Sequence, residues 1–294
     1  MTSNPRVPYR LASARPPLEP PDGKPLIVHL VVNIEHWQFD QAMPRKILTA
    51  PHGRDNIPDV PNFAWAEYGM RCGLPRILEM FAERGLPASA SINAGVIDAS
   101  PECAAAIHEA GWEFIGHGIH QRSVEADTDE AGLIAAALDK LKRFTGEPVR
   151  GWLSPGLRET FDTPDLLKAA GIEYVCDWVL DDLPCWMTTR HGPMIAMPYT
   201  LEINDSVIYA VERHSSPEMH QRLKDTLEAF DRELGRGPRV VTLALHPHLI
   251  GVPHRIGYLA KMLDLLQIRD DTVFMTGGRI ADWFVAADEA SQAS

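Results

Sequence analysis

From Leu26 onward, short apolar runs alternate with segments of helical periodicity. The runs Leu26–Asn33, Ala88–Ile92, Phe114–Gly116, Val149–Leu153, Tyr174–Asp177, Val240–Leu245 and Val273–Met275 predict strands. Between them, apolar residues recur every three or four positions, and this spacing predicts helices over Leu74–Arg84, Pro101–Ala110, Thr128–Phe144, Pro164–Ala170, Pro217–Leu234 and His254–Leu266. Gly85, Gly111 and Gly171 close three of them, as expected where a helix ends in a left-handed turn. About seven βα units without a linker-like break predict an α/β fold, a distorted seven- or eight-stranded parallel (β/α) barrel. Residues 26–285 would form it, with 1–25 an N-terminal arm and 286–294 a C-terminal tail.

Two connections exceed what a plain barrel needs. The stretch from Glu35 to Cys72 follows the C-terminal end of the first strand and carries Pro44, Pro51, Pro58 and Pro61 with Trp37, Phe63, Trp65 and Tyr68. The stretch from Asp177 to Asp205 carries Asp181, Asp182, Trp186, Tyr199 and Asn204. Long loops at that end of a barrel tend to cover a site, so both are expected on the catalytic side.

Composition narrows the partners. With 294 residues and 45% apolar content the chain can bury a large core, and its net charge of −12 with no Lys/Arg run argues against nucleic acid or an anionic membrane. A small neutral substrate suits that balance. Cys72, Cys103, Cys176 and Cys185 show no CxxC spacing, as expected of thiols in a reducing cytoplasm. Met1–Asp22 is rich in Pro and Arg and has no apolar stretch of the signal-peptide kind.

Polar residues at three strand ends carry the candidate chemistry. Asn33 and Glu35, two apart, share a strand face, and Glu35 is either a metal ligand or a salt-bridged carboxylate. His117 sits between Gly116 and Gly118. If Gly118 opened a helix, His120 or Gln121 would join His117 on one face, the spacing of zinc-binding pairs. His246 and His248 flank Pro247 after an unbroken apolar strand, which makes His246 a candidate general acid or base.

These landmarks resemble the polysaccharide deacetylase family, and more closely its branch of cofactor-independent allantoinases and cyclic-amide hydrolases. The resemblance rests on Val32–Glu35, Tyr68–Gly73, His117-Gly118, the run from Cys176 to Asp205, and Leu245–Gly251. It implies hydrolysis of a carbon–nitrogen bond. It also implies that Asn33 stands where metal-dependent relatives carry an aspartate base, with Glu35, His117 and Gln121 at their metal-ligand positions and His120 beside them. Ser154 would line the pocket. Arg71, Asp177, Asp182, Trp186, Tyr199 and Asn204 are the substrate contacts so implied.

Two mechanisms stay open at this point. In one, Glu35, His117 and His120 or Gln121 hold a zinc-like divalent ion that polarises the amide carbonyl. In the other there is no cofactor, and His117 or Glu35 activates the water. His246 is the acid in both. A small cyclic amide, imide or ureide is the expected substrate. An N-acetylated sugar or a catalytically inactive ligand-binding barrel are the alternatives, and the resemblance implies a homo-oligomer.

Overall fold

The computed structural model describes residues 4–123 and 129–293. One curled sheet contains β1 (Leu26–Ile34), β2 (Ser89–Ile92), β3 (Glu113–Gly116), β4 (Gly151–Trp152), β5 (Tyr174–Val175), β6 (Cys185–Thr189), β7 (Gly192–Ala196), β8 (Arg239–Leu245) and β9 (Thr272–Phe274). The order is β6-β7-β5-β4-β3-β2-β1-β8, with β9 also on β1, and every pairing is parallel except that of β6 with β7. The expected distorted (β/α) barrel is therefore the fold.

β1 is buried at every position, which is why it reads as a continuous apolar run. Its parity divides the core. Leu26, Val28, Leu30, Val32 and Ile34 pack outward with the helices, while Ile27 and Val31 pack inside the barrel. In β8, Val241, Leu243 and Leu245 face outward and Val240 and Ala244 inward. Truncating any of these large residues to Ala would cost about 2–5 kcal/mol. The inward parity includes Asn33 near the end of β1 and continues past the strand ends to Glu35 after β1, His117 after β3 and His246 after β8.

The gap between the β6–β7 hairpin and β8 has no continuous ladder. Instead, Thr242 Oγ1 donates to Pro198 O at 2.8 Å, Thr242 N donates to Thr200 Oγ1 at 3.1 Å, and Ala244 N donates to Ile203 O at 3.2 Å. This seam delivers Asn204 and Asp205 to the end of β8.

Several elements depart from expectation. The β6–β7 hairpin lies in the passage expected to be irregular. The long connection after β1 holds a helix over Val60–Tyr68 and a π-helical stretch over Gly69–Gly73, which run into the helix Leu74–Glu83. The expected helix start at Thr128 lies outside the described residues; the helix spans Glu130–Thr145, with Asp129 accepting from Gly132 N at 3.0 Å. The last helix, Gly277–Ala293, runs through the residues expected as a tail, because Ala281, Phe284 and Ala287 are buried on the body. The described part of the arm packs too: Arg6 pairs with Asp165 at 2.8 Å, Arg15 with Asp181, and Leu18 is buried. Among the described residues no helix is long and apolar enough to cross a membrane.

Candidate active site

The inward side chains at the C-terminal strand ends surround a cavity of about 970 Å³. Asn33, Glu35, His117, Gln121, Asp177, Tyr199, Asn204, His246 and His248 line it. The loop after β1 contributes Trp37, Gln41, Ala42, Pro44 and Arg45 as one wall, and the segment beyond Tyr199 contributes Leu201, Val207 and Val211. Both long connections thus lie over the strand ends.

His246 is held from two sides. Its Nδ1 lies 2.6 Å from Asp205 Oδ1, and its backbone N–H donates to Asp205 Oδ2 at 2.7 Å, as does Ile250 N at 3.2 Å. Its Nε2 lies 3.5 Å from Glu35 Oε1, whose Oε2 accepts from Trp37 Nε1 at 2.7 Å. Burial alone would lower the imidazole's pKa, but Asp205 and then Glu35 outweigh it and hold it up at about 9. Burial likewise disfavours the Glu35 carboxylate, yet His246, with His248 and His117 behind it, brings it down to about 2. At neutral pH His246 is therefore an imidazolium facing the Glu35 carboxylate.

His117 has the opposite character. It is buried, its Nδ1 lies 2.5 Å from Leu153 O, and its Nε2 has no hydrogen-bond partner among the described residues. A carbonyl accepts only, so Nδ1 carries the proton and Nε2 presents a lone pair. Burial lowers its pKa despite the nearby Glu35 charge, which keeps the ring neutral. His248 is pushed by burial to about 3 and is boxed edge-on by Trp37 and Trp65 at centroid distances of 5.5 and 4.7 Å.

Asn33 spends its amide hydrogens on Tyr199 Oη at 2.8 Å and Leu245 O at 3.2 Å, so Oδ1 is its remaining polar atom. Asn204 Oδ1 accepts from Ser206 N at 2.9 Å and so also caps the turn that follows. Asp177 Oδ1 accepts from Ser154 N at 2.8 Å. Burial raises the Asp177 carboxyl to about 6 and that of neighbouring Glu159 to about 9, so the pair holds a proton near neutrality.

Other expected residues are elsewhere. No helix begins at Gly118, so the helical spacing proposed for His117 with His120 or Gln121 is not realised. His120 turns away and sets its Nδ1 2.9 Å from His36 Nδ1, while Gln121 reaches the cavity with a buried, unpartnered Oε1. Arg71 is exposed and pairs with Glu67 at 2.8 Å. Its motif matters through its glycines: a Cβ at Gly69 would strike the His248 backbone, and one at Gly73 the Pro247 carbonyl. Asp182 is half exposed beside Arg239. Trp186 packs on Phe284 and donates to Asp288 at 2.9 Å, away from the cavity. The Ser154 hydroxyl accepts from Trp152 Nε1 at 3.0 Å, behind a wall formed by Leu153 and Pro155. Asp205 was missed by the sequence reading, although it stands next to Asn204.

A zinc-like ion does not fit these donors. Among the described residues no group of three or more His, Cys, Asp or Glu is placed to hold one. The donors there are the free His117 Nε2, a carboxylate already engaged by His246 and Trp37, and the Gln121 carboxamide, a poor set for zinc, while His248 is boxed by Trp37 and Trp65.

Comparison with known proteins places the barrel. Residues 65–175 match the family model for polysaccharide deacetylase. Over 238 residues the chain is 26% identical to a Schizosaccharomyces pombe protein assigned to the polysaccharide deacetylases, covering 73% of each. Among solved structures, one assigned to the same family from Pseudomonas aeruginosa PAO1 superposes with a TM-score of 0.83 at 25% identity, covering 92% of this chain and 95% of that one. The PuuE allantoinase does so with a TM-score of 0.83 at 25% identity, covering 93% and 95%.

Proposed function

Since this barrel is of the polysaccharide deacetylase type, we propose that it is a carbon–nitrogen hydrolase that opens a small cyclic amide, imide or ureide without a metal. One observation carries the mechanism: a charged His246 between Asp205 and Glu35 shares a cavity with a neutral His117 whose Nε2 is free. Two titratable groups whose surroundings push their pKa values apart supply an acid and a base at one pH.

His117 Nε2 takes a proton from water as the water oxygen bonds to the amide carbon. His246 then gives its Nε2 proton to the departing nitrogen as the C–N bond breaks, leaving a carboxylic acid and an amine or urea nitrogen. Asp205 fixes the His246 ring and keeps it charged, and Glu35 holds the Nε2 side. Asn33 Oδ1 and the protonated Glu159–Asp177 pair offer an acceptor and a donor to a ring carrying both N–H and C=O groups. The cavity volume and its two loop walls favour a small ring over a polymer. The four unpaired cysteines support a cytoplasmic setting.

Proton NMR of the protein with allantoin, hydantoin, dihydrouracil, succinimide and N-acetylglucosamine oligomers, with and without zinc, tests this reading. Ring opening unaffected by zinc is expected. Acetate release would establish the second reading, N-deacetylation, which the family match over residues 65–175 favours. Ring opening only with zinc would overturn the mechanism.

A further inference from the structure

We propose that the substrate of this site carries a carboxylate, held by Arg45 and Arg158 at the outer wall of the cavity. The proposal rests on the hydrolase reading and adds the charge class of what it takes.

The chain carries a net charge of −12, yet three arginines, Arg45, Arg122 and Arg158, line the cavity. They come from three connections, those after β1, β3 and β4. Among the described residues none of the three guanidinium groups is in an ion pair or a side-chain hydrogen bond. By contrast, Arg6, Arg150, Arg222 and Arg269 each hold a carboxylate at 2.8 Å or less. Of the described residues lining the cavity only Glu35 and Asp177 are acidic, and both are engaged, Glu35 by His246 and Trp37 and Asp177 by the Ser154 backbone. Among the described residues the wall thus presents cationic forks without counter-ions, the group that matches a planar carboxylate through two parallel hydrogen bonds.

The backbone at Arg158 supports the assignment. It follows a turn in which Gly156 has φ 66° and Leu157 has φ 56°. A left-handed Leu is disfavoured, and such residues persist where surrounding structure enforces them, often at ligand sites. Here Leu157 N donates to Ser154 O at 2.8 Å, and Pro155, Gly156, Leu157 and Arg158 all line the cavity. The turn therefore keeps Arg158 on the cavity side of β4. Together with the His246 imidazolium deeper in, the arginines make a positive inlet on a negative molecule, which concentrates small anions.

The test compares hydantoin-5-acetate with hydantoin-5-acetamide, equal in shape and different in charge, by calorimetric binding and by NMR of ring opening. The wild-type protein should bind the acetate more tightly, and added salt should weaken the acetate alone. Replacing both arginines, Arg45→Gln with Arg158→Gln, should raise its dissociation constant about tenfold to hundredfold and leave that of the acetamide unchanged. Arg158→Lys should recover part of the loss. Equal binding of both ligands by the wild type, no binding of either, or equal weakening of both in the variant would overturn the proposal. If neutral rings are opened but charge makes no difference, the hydrolase reading survives and this one falls. If the acetate binds through the arginines and no ring is opened, the carboxylate site stands and the hydrolase reading falls.

Discussion

Both ends of the barrel set a buried histidine and a partly buried glutamate on the inward face of the sheet: His29 and Glu113 toward the N-terminal ends of β1 and β3, His246 and Glu35 past the C-terminal ends of β8 and β1. At the lower end, burial drives His29 down to about 3, so the ring is neutral, and raises the Glu113 carboxyl above its ordinary value. Ser89 stands between them, its Oγ 2.9 Å from His29 Nε2 and donating to Glu113 at 2.7 Å, while Tyr174 Oη and Gly278 N also donate to Glu113. At the upper end an imidazole touches Asp205 directly, and charge survives. The same residue type in the same barrel is neutral where its partner is a hydroxyl and ionised where a carboxylate is in contact. Burial sets the direction unless a counter-charge lies within hydrogen-bond reach.

The sharpest way to break this comparison is His246→Ala. Loss of the acid should lower kcat about 10²–10⁴-fold, measured by ring opening, and the melting temperature should also fall because Asp205 and Glu35 lose their counter-charge. Next comes Asp205→Asn. The active form of His246 is protonated, so activity in the wild type should fall as pH rises through about 9, and below the ordinary histidine range as His117 takes a proton. Removing the Asp205 charge should move the alkaline limb downward, whereas Glu159→Gln should leave that limb in place. A pH–rate profile distinguishes them.

At the lower end the expected effects are on stability. Tyr174→Phe removes a donor from partly buried Glu113 and should cost about 1–3 kcal/mol in denaturant unfolding, with kcat unchanged. Near neutral pH the His29 effect vanishes, and it grows only on acidification. Its folded pKa lies below the ordinary value, so the unfolded chain takes a proton first, and stability should fall as pH drops from about 6.5 toward 3 by up to about 1.4 kcal/mol per unit. His29→Asn should flatten that limb, and a wild-type curve already flat there would mean that His29 titrates normally.

Much of this arrangement was legible before any coordinates. β1 and β8 are buried on both faces and so announce themselves as apolar runs, and the period of two carries Asn33, Glu35 and His246 inward. The hairpin was not legible, because Pro184, the Thr188-Thr189 pair and Gly192-Pro193 read as loop chemistry. Whether Asn204 or Asp205 meets His246 depends on how the seam enters the following turn, which no periodicity encodes. The choice between His120 and Gln121 was settled by an irregular backbone, where Gln121 N donates to His36 O at 3.1 Å. Net charge does not report local placement: −12 averaged over the chain is compatible with three arginines at one cavity.

The seam beside β8 has a consequence for how the molecule comes into operation. Asp205 follows directly from the segment whose contacts with Thr242 and Ala244 bridge the gap, so the catalytic pair is completed by the same closure that finishes the sheet. A chain with every helix formed but that gap open would hold His246 without its carboxylate. One segment thereby does two jobs, and loosening the seam is expected to shift the pH dependence of His246 along with the stability of the sheet.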